Sequence, residues 1–323
     1  MPTPAAPSSL HGRPLLDSRA DMALYLARPR LESRLDAAVG RGLNVLITGP
    51  RGGGRTTLLR ALLFRRRRRG GPASTPVYVR AAAAGSVSEL VRLVHTALLP
   101  GAEPPADEGA LALVAALGTA LRAEGVTDSE RRLLCLDDVD PRVGNQLFGV
   151  LRDEVWALPV QWVVAADSDG AAALTLPPAD AFFETRLDLP ELTRAEAERL
   201  LALRLPEPIT LPETVQRCTP REALDLARLA PDDRATAVDE RARRDDAAAR
   251  LGRPATMLVA ALEELGPVSP SDDRLLARTG WTSSRASQVF RQLLDVGLVA
   301  YREVRGDRPG RPARLYELTP LRG

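Results

Sequence analysis

Nine consecutive residues, Gly49-Pro50-Arg51-Gly52-Gly53-Gly54-Arg55-Thr56-Thr57, have the makeup of a loop that holds phosphate. Small residues let the backbone curl until successive N–H groups point inward, and a following helix aims its positive end at the anion. Thr56 offers a hydroxyl to a magnesium ion accompanying the phosphates. The basic position is Arg55, where this spacing ordinarily carries lysine. Arginine keeps the charge, but its planar fork is bulkier and hydrogen-bonds differently from a compact ammonium. Two readings stay open: a site that binds nucleotide without turnover, or a pocket adapted to arginine.

A second chemical signature lies about 80 residues further on. Leu133–Leu136 is an apolar run, and Asp137-Asp138 follows it directly. At the carboxyl end of a strand, Asp137 is suited to the magnesium shell and Asp138 to polarising an attacking water.

These residues need a scaffold, and the apolar pattern supplies one. Short buried strands are expected at 43–48, 77–80, 133–137, 160–166 and 185–189. Helical stretches at 56–64, 86–99, 106–124 and 143–156 separate them. Such alternation predicts an α/β fold with a parallel sheet covered on both faces. Residues 1–20 read as a flexible tail and 21–190 as the core. Residues 191–252 are Ala/Leu/Arg/Glu-rich, with helices near 193–204, 220–229 and 231–251, and read as a small all-helical lid. Thr219 can cap the second of these, with Pro220 in its first turn.

Composition excludes several classes. The chain has 323 residues, 45% of them hydrophobic, enough for a sizeable core. Aromatics are 4%, too few for a base-stacking binder of single strands. Two cysteines, Cys135 and Cys218, make no disulfide framework, and with two histidines a zinc site is excluded. No apolar run has the length to span a bilayer, and residues 1–10 lack the pattern of a secretory signal. A cytosolic, soluble protein without membrane contact is expected. All 44 basic residues are arginine; lysine is absent from the chain. GC-rich coding bias accounts for this, and selection against a lysine-directed modification is the alternative.

Together these signals resemble the AAA+/STAND class of P-loop ATPases. Arg28-Pro29-Arg30-Leu31-Glu32, with Leu35, Val39 and Gly40, looks like the helix that precedes the first strand in that class and flanks the adenine. The resemblance implies ATP or ADP as ligand, held by Gly49–Thr57, with Mg2+ at Thr56 and Asp137 and hydrolysis served by Asp138. It implies a polar γ-phosphate sensor at Asp167 and Ser168, and a lid sensor in Cys218-Thr219-Pro220-Arg221, from which Arg221 reaches the phosphates. The usual glycine of that lid motif is absent. Arg186 is a candidate for the arginine that completes a neighbouring subunit's site, with an ordinary edge-strand arginine as the alternative. Core, helical lid and C-terminal winged helix together are similar to origin-recognition ATPases, and bacterial STAND-like proteins share them.

The last segment, 253–323, shows helices at 254–265, 269–279 and 283–296, then strands at 298–302 and 314–318. This is a winged helix-turn-helix pattern, in which the third helix enters the major groove of DNA. Its exposed positions would be Ser283, Ser284, Arg285, Ser287, Gln288 and Arg291, and the wing carries Arg305, Arg308 and Arg311. Seven arginines stand against three acids between Ser283 and Arg314, a balance suited to phosphate contacts. Duplex DNA is the expected partner, with homo-oligomer or protein partners as further candidates. The run Arg65–Arg69 reads as a solvated helix end or as a further contact surface. The function expected is an ATPase coupling nucleotide state to DNA through the winged helix. The alternative is a non-hydrolysing switch, adaptor or transcription regulator, including one in a defence assembly.

Overall fold

The computed structural model describes residues 10–69, 76–106, 108–304 and 313–319. Two compact units divide between Arg228 and Leu229, with Pro212–Thr214 grouped with the second. In the first, the elements run α1 (Arg19–Met22), α2 (Pro29–Gly40), β1 (Val45–Thr48), α3 (Arg55–Arg69), β2 (Val77–Arg80), α4 (Val87–Leu98) and α5 (Ala110–Ala123). They continue with β3 (Arg132–Asp137), α6 (Pro141–Asn145), a π-helical turn (Gln146–Val150), α7 (Arg152–Trp156), β4 (Val160–Ala165), α8 (Ser168–Leu174) and β5 (Thr185–Asp188). The short strands β6 (Leu192–Thr193) and β7 (Arg217–Cys218) frame α9 (Arg194–Ala202), and α10 (Pro220–Arg228) ends the unit.

Strands β1 to β5 form one parallel sheet in the order β2-β3-β4-β1-β5. The runs VLIT, RLLCLD and VQWVVA are almost wholly buried, as strands covered on both faces must be. The pleat sorts them. Leu46, Leu134, Leu136, Trp162 and Val164 join the core under α4, α5 and Phe148, while Val45, Ile47, Leu133, Cys135 and Val163 pack against α2 and α3. Burial pushes the Cys135 thiol up to about 12, so it is an inert core residue. The order has a consequence for the site: β4 lies between β1, which ends at the glycine loop, and β3, which ends at Asp137.

Two expectations need correction in this unit. Residues 10–20 are not a flexible tail: Leu15 is 1% exposed, Arg13 pairs with Asp21 at 2.6 Å, and Arg228 donates to the Leu10 carbonyl. The segment is a strap laid over α3, with Asp17 paired to Arg60 and Arg67. The single helix expected at 143–156 is broken by the π-helical turn, where Gly149 packs so closely that a Cβ would stand 3.2 Å from the Ala179 backbone nitrogen. The arginine run at the end of α3 is a solvated helix end at Arg67–Arg69, which are exposed; Arg65 pairs with Glu32 and Asp36, Arg69 with Asp36 and Arg67 with Asp17.

The second unit contains α11 (Pro231–Leu251), α12 (Arg253–Leu265), α13 (Asp273–Thr279), α14 (Ser283–Asp295), β8 (Val299–Val304) and β9 (Ala313–Leu318). Its core gathers Leu258, Leu262, Leu275, Val289, Phe290, Leu293 and Val299, with the Phe290 and Tyr316 rings 4.4 Å apart. Helix α11, read from sequence as part of the lid, packs on α12 through Ala248, and Arg241 pairs with Glu263 at 3.4 Å. Helix α13 begins four residues later than expected. Val268 is engaged in a bridge to Tyr316 of β9, and Asp272 caps the helix.

Candidate functional site

The glycine loop joins β1 to α3 at the carboxyl edge of the sheet, with strand before and helix after. Three glycines are required by space, and at Gly53 a Cβ would meet the Pro50 carbonyl at 2.7 Å. At Gly49 a Cβ would meet the Leu189 carbonyl at 2.7 Å. Gly52 has φ +74°, and a Cβ there would lie 2.9 Å from Arg221 Cβ and 3.3 Å from Thr219 Oγ1. The loop is therefore packed directly against the start of α10. The Arg221 backbone N–H donates to the Gly52 carbonyl at 3.4 Å.

That helix start is itself well fixed. Thr219 accepts from the Glu222 backbone N–H at 3.2 Å, and the Glu222 carboxylate accepts from the Thr219 N–H at 2.8 Å. This reciprocal cap, with Pro220 in the first turn, sets Arg221 beside the loop. Arg55, the first residue of α3, turns its guanidinium back onto the loop. Its Nη1 donates to the carbonyls of Gly49 and, at 2.9 Å, of Pro50. The charge thus stays within the loop although lysine is gone.

Asp137 ends β3 and is 1% exposed. Thr56 hydrogen-bonds to its carboxylate, Tyr78 donates to Oδ2 at 2.9 Å, and the Asp138 N–H donates to Oδ1 at 3.1 Å. Burial pushes Asp137 above the usual carboxylate range, and Asp138 adds to that push. The donors Thr56 and Tyr78 and the charge of Arg55 pull the other way. A divalent cation would offset the same burial cost. The Thr56 hydroxyl and the Asp137 carboxylate, already in contact across β4, fit Mg2+, which takes one or two protein oxygens and keeps waters and phosphate for the rest. Among the described residues no cluster of three or more His, Cys, Asp or Glu competes as a metal site.

Asp138 adopts φ +54°, the one positive φ outside glycine among the described residues. This turn lifts its carboxylate out of the strand, where Arg80 at the end of β2 holds it, Nε to Oδ2 2.9 Å. Asp167 is the N-cap of α8, accepting from the Gly170 N–H at 2.6 Å, and Ser168 is exposed behind it. Arg186 is exposed on the edge strand β5, donating to the Asp180 carbonyl at 3.0 Å. Loop, Asp137, Asp138 and Arg221 are thus gathered at one edge of the sheet.

Beside the loop is a narrow cleft of about 50 Å³, lined by Leu15, Tyr25, Arg28, Gly54, Thr57 and Arg204 among others. Pro29 opens α2, and Glu32 reaches back to accept from the Arg28 N–H at 2.7 Å and from the Tyr25 hydroxyl at 2.8 Å. Of the segment expected to flank a base, Arg28 lines this cleft. Tyr78, Arg80, Arg204 and the strap bearing Leu15 were missed from sequence. The register of β2 beside β3, Arg80 opposite Asp137, is what brings the first two to the site.

In the second unit, Thr282 caps α14, whose face of Ala286, Val289, Phe290 and Leu293 is buried. Ser283, Ser284, Arg285, Ser287, Gln288 and Arg291 lie on the exposed face, with Arg285 donating to Gln288 at 2.7 Å. Arg305, Arg308 and Arg311 lie outside the described residues.

The sheet order, the loop after β1 and the acids after β3 make the first unit an α/β fold with a glycine loop and an acid pair at the carboxyl edge of a five-stranded parallel sheet. The chain matches no protein-family model and no curated protein. Among solved structures, it is similar over nearly its whole length to ORC1 of Aeropyrum pernix, solved in complex with DNA, with 21% identity, 97% of this chain and 91% of that one covered, and a TM-score of 0.49. The ORC2 protein of Aeropyrum pernix, solved as ADPNP–ADP complexes, gives 16% identity, coverage of 95% and 91%, and a TM-score of 0.45. A variant of Thermotoga maritima RuvB gives 18% identity, coverage of 90% of each chain and a TM-score of 0.37. Among the described residues no helix is long and apolar enough to cross a membrane.

Proposed function

We propose that the chain is a nucleotide-dependent switch. ATP with Mg2+ binds at Gly49–Thr57, and the bound state is passed through the lid to duplex DNA held by the winged helix. The observation that carries this is the seating of Thr219-Pro220-Arg221 on Gly52. A phosphate entering the loop must meet the first turn of α10, so the lid cannot ignore it. Backbone N–H groups and the start of α3 would hold the phosphates. Thr56 and Asp137 would hold the magnesium, which supplies charge neutralisation when bound. Arg221 would close over the phosphates. Asp167 and Ser168 would sense the γ-phosphate, and Arg186 would complete a neighbouring subunit's site. On the second unit, the exposed face of α14 would enter the major groove, with Arg285 and Arg291 on phosphate or base edges and Arg305, Arg308 and Arg311 on the backbone.

One observation favours a second reading, in which the switch does not hydrolyse. Arg80 engages the Asp138 carboxylate, the group that would polarise water, and Arg55 is committed to loop carbonyls. The test is duplex-DNA affinity by fluorescence anisotropy, without nucleotide, with Mg·ADP and with Mg·ATP, over a salt series. Affinity is expected to differ between nucleotide states and to fall with salt. Equal affinity in all three states would remove the coupling. Phosphate release by the wild type beside Arg80→Ala, Arg55→Lys and Asp138→Asn separates the two readings. Activity that appears only in Arg80→Ala or Arg55→Lys identifies the natural chain as a non-hydrolysing switch.

A further inference from the structure

Arg204, just past the end of α9, is 8% exposed, and its Nε and Nη1 are buried without a hydrogen-bond partner among the described residues. An unpaired guanidinium in such a place is strongly unfavourable unless something satisfies it. The nearby carboxylate, Asp21, is already taken. Arg13 binds it in bidentate fashion at 2.6 and 3.0 Å, and the Leu16 N–H donates to it at 2.7 Å.

Arg204 lines the cleft beside the glycine loop. That cleft touches Gly53, Gly54 and Thr57 but not Arg55, Thr56 or Asp137, so it lies away from the metal pair. The part of a nucleotide that reaches it is therefore the base end and not the terminal phosphate. Its other walls, Leu192, Leu200 and Pro220, are apolar and suit the flat face of a heterocycle. Taking the nucleotide reading of the loop as given, we propose that Arg204 reads the nucleobase, donating its buried N–H groups to the acceptor edge of a purine. N7 is an acceptor in either purine, and guanine adds O6, so the acceptor chemistry is shared and the bound base is identified by experiment.

The test is calorimetric titration of the full-length chain with Mg·ATP, Mg·GTP and inorganic tripolyphosphate. It compares wild type, Arg204→Met and Arg204→Lys. Methionine removes an unpartnered buried charge at similar size, so the variant is expected to fold, and Arg204→Lys is the second probe if it does not. Loss of a charge-assisted hydrogen bond is expected to weaken the preferred nucleoside triphosphate roughly tenfold or more in Arg204→Met, with tripolyphosphate unchanged. Arg204→Lys, which keeps charge without the fork, should fall between. Unchanged nucleotide affinity in Arg204→Met, or equal weakening of nucleotide and tripolyphosphate, would overturn the base-reading role while leaving the loop's phosphate binding intact. Failure of the wild type to bind any of the three would instead overturn the nucleotide reading on which this inference rests.

Discussion

Replacing Gly52 with alanine should separate the lid from the glycine loop, and the size of the effect can be worked out. Gly52 has φ +74°, a conformation costing an alanine roughly 1–2 kcal/mol. The new Cβ would stand 2.9 Å from Arg221 Cβ, whereas carbon atoms pack best at roughly 3.5–4.0 Å. Arg221 Cβ is fixed to the backbone of α10, so the helix start must move and not merely a side-chain tip. Moving it strains the Arg221 N–H to Gly52 carbonyl bond, worth roughly 0.5–1.5 kcal/mol. The total comes to about 1.5–3.5 kcal/mol. At roughly 2–4 °C per kcal/mol for a unit of this size, the first unfolding transition should drop by about 3–14 °C. Thermal unfolding followed by circular dichroism measures it. The diagnostic step is a double-mutant cycle. In an Arg221→Gly background the opposing Cβ is gone, so Gly52→Ala should cost only its backbone strain, whereas Arg221→Ala retains that Cβ and should give no relief. An identical cost in the Gly and Ala backgrounds would refute the contact and, with it, the mechanical link between loop and lid.

Asp137 gives a pH signature. Burial raises its pKa above the ordinary 3.8, so the folded chain holds this proton where the unfolded chain has released it, and stability falls as pH rises from about 3.8 through the folded value. Denaturant titrations at several pH values should show that fall flatten in Asp137→Asn and in the presence of Mg2+. Phe148 stacks within 5.4 Å of Trp162, Phe182 and Phe183, and Phe148→Ala should cost about 3–5 kcal/mol in chemical denaturation. Leu15→Ala empties one wall of the cleft beside Gly54, and stopped-flow measurement should show faster nucleotide association than in the wild type. On the winged unit, Arg291→Ala should lower the slope of log affinity against log salt by about 1 if that arginine meets a phosphate.

What was legible in the sequence was whatever is decided by near neighbours. The buried strands announce themselves because every residue of LNVLIT or VQWVVAA must face a covering helix. The phosphate loop is local in part, since Gly53 is demanded by the Pro50 carbonyl of its own curl while Gly49 and Gly52 answer to Leu189 and Arg221, and the Thr219-Pro220 helix start follows from cap chemistry within four residues. The strap was not legible for the opposite reason. Residues 10–17 carry three leucines and a proline but no strand or helix period, and what fixes them is distant: Asp17 reaches Arg60 and Arg67, and Arg228 reaches Leu10, 218 positions away. The partners of the arginine run were hidden in the same way: Glu32 and Asp36 come alongside Arg65 and Arg69 only through the packing of α2 against α3.

The absence of lysine gains a physical meaning from that same packing. An ammonium is a compact charge that a loop can surround, whereas a guanidinium must be met by acceptors in the plane of its fork. At Arg55 the acceptors are carbonyls of the loop itself, at Arg65 two carboxylates on α2, at Arg80 the Asp138 carboxylate. In each case the fork meets acceptors of the fold itself. At Arg204 two guanidinium nitrogens, Nε and Nη1, are buried without an acceptor among the described residues, and their place beside the phosphate loop leaves them for a ligand.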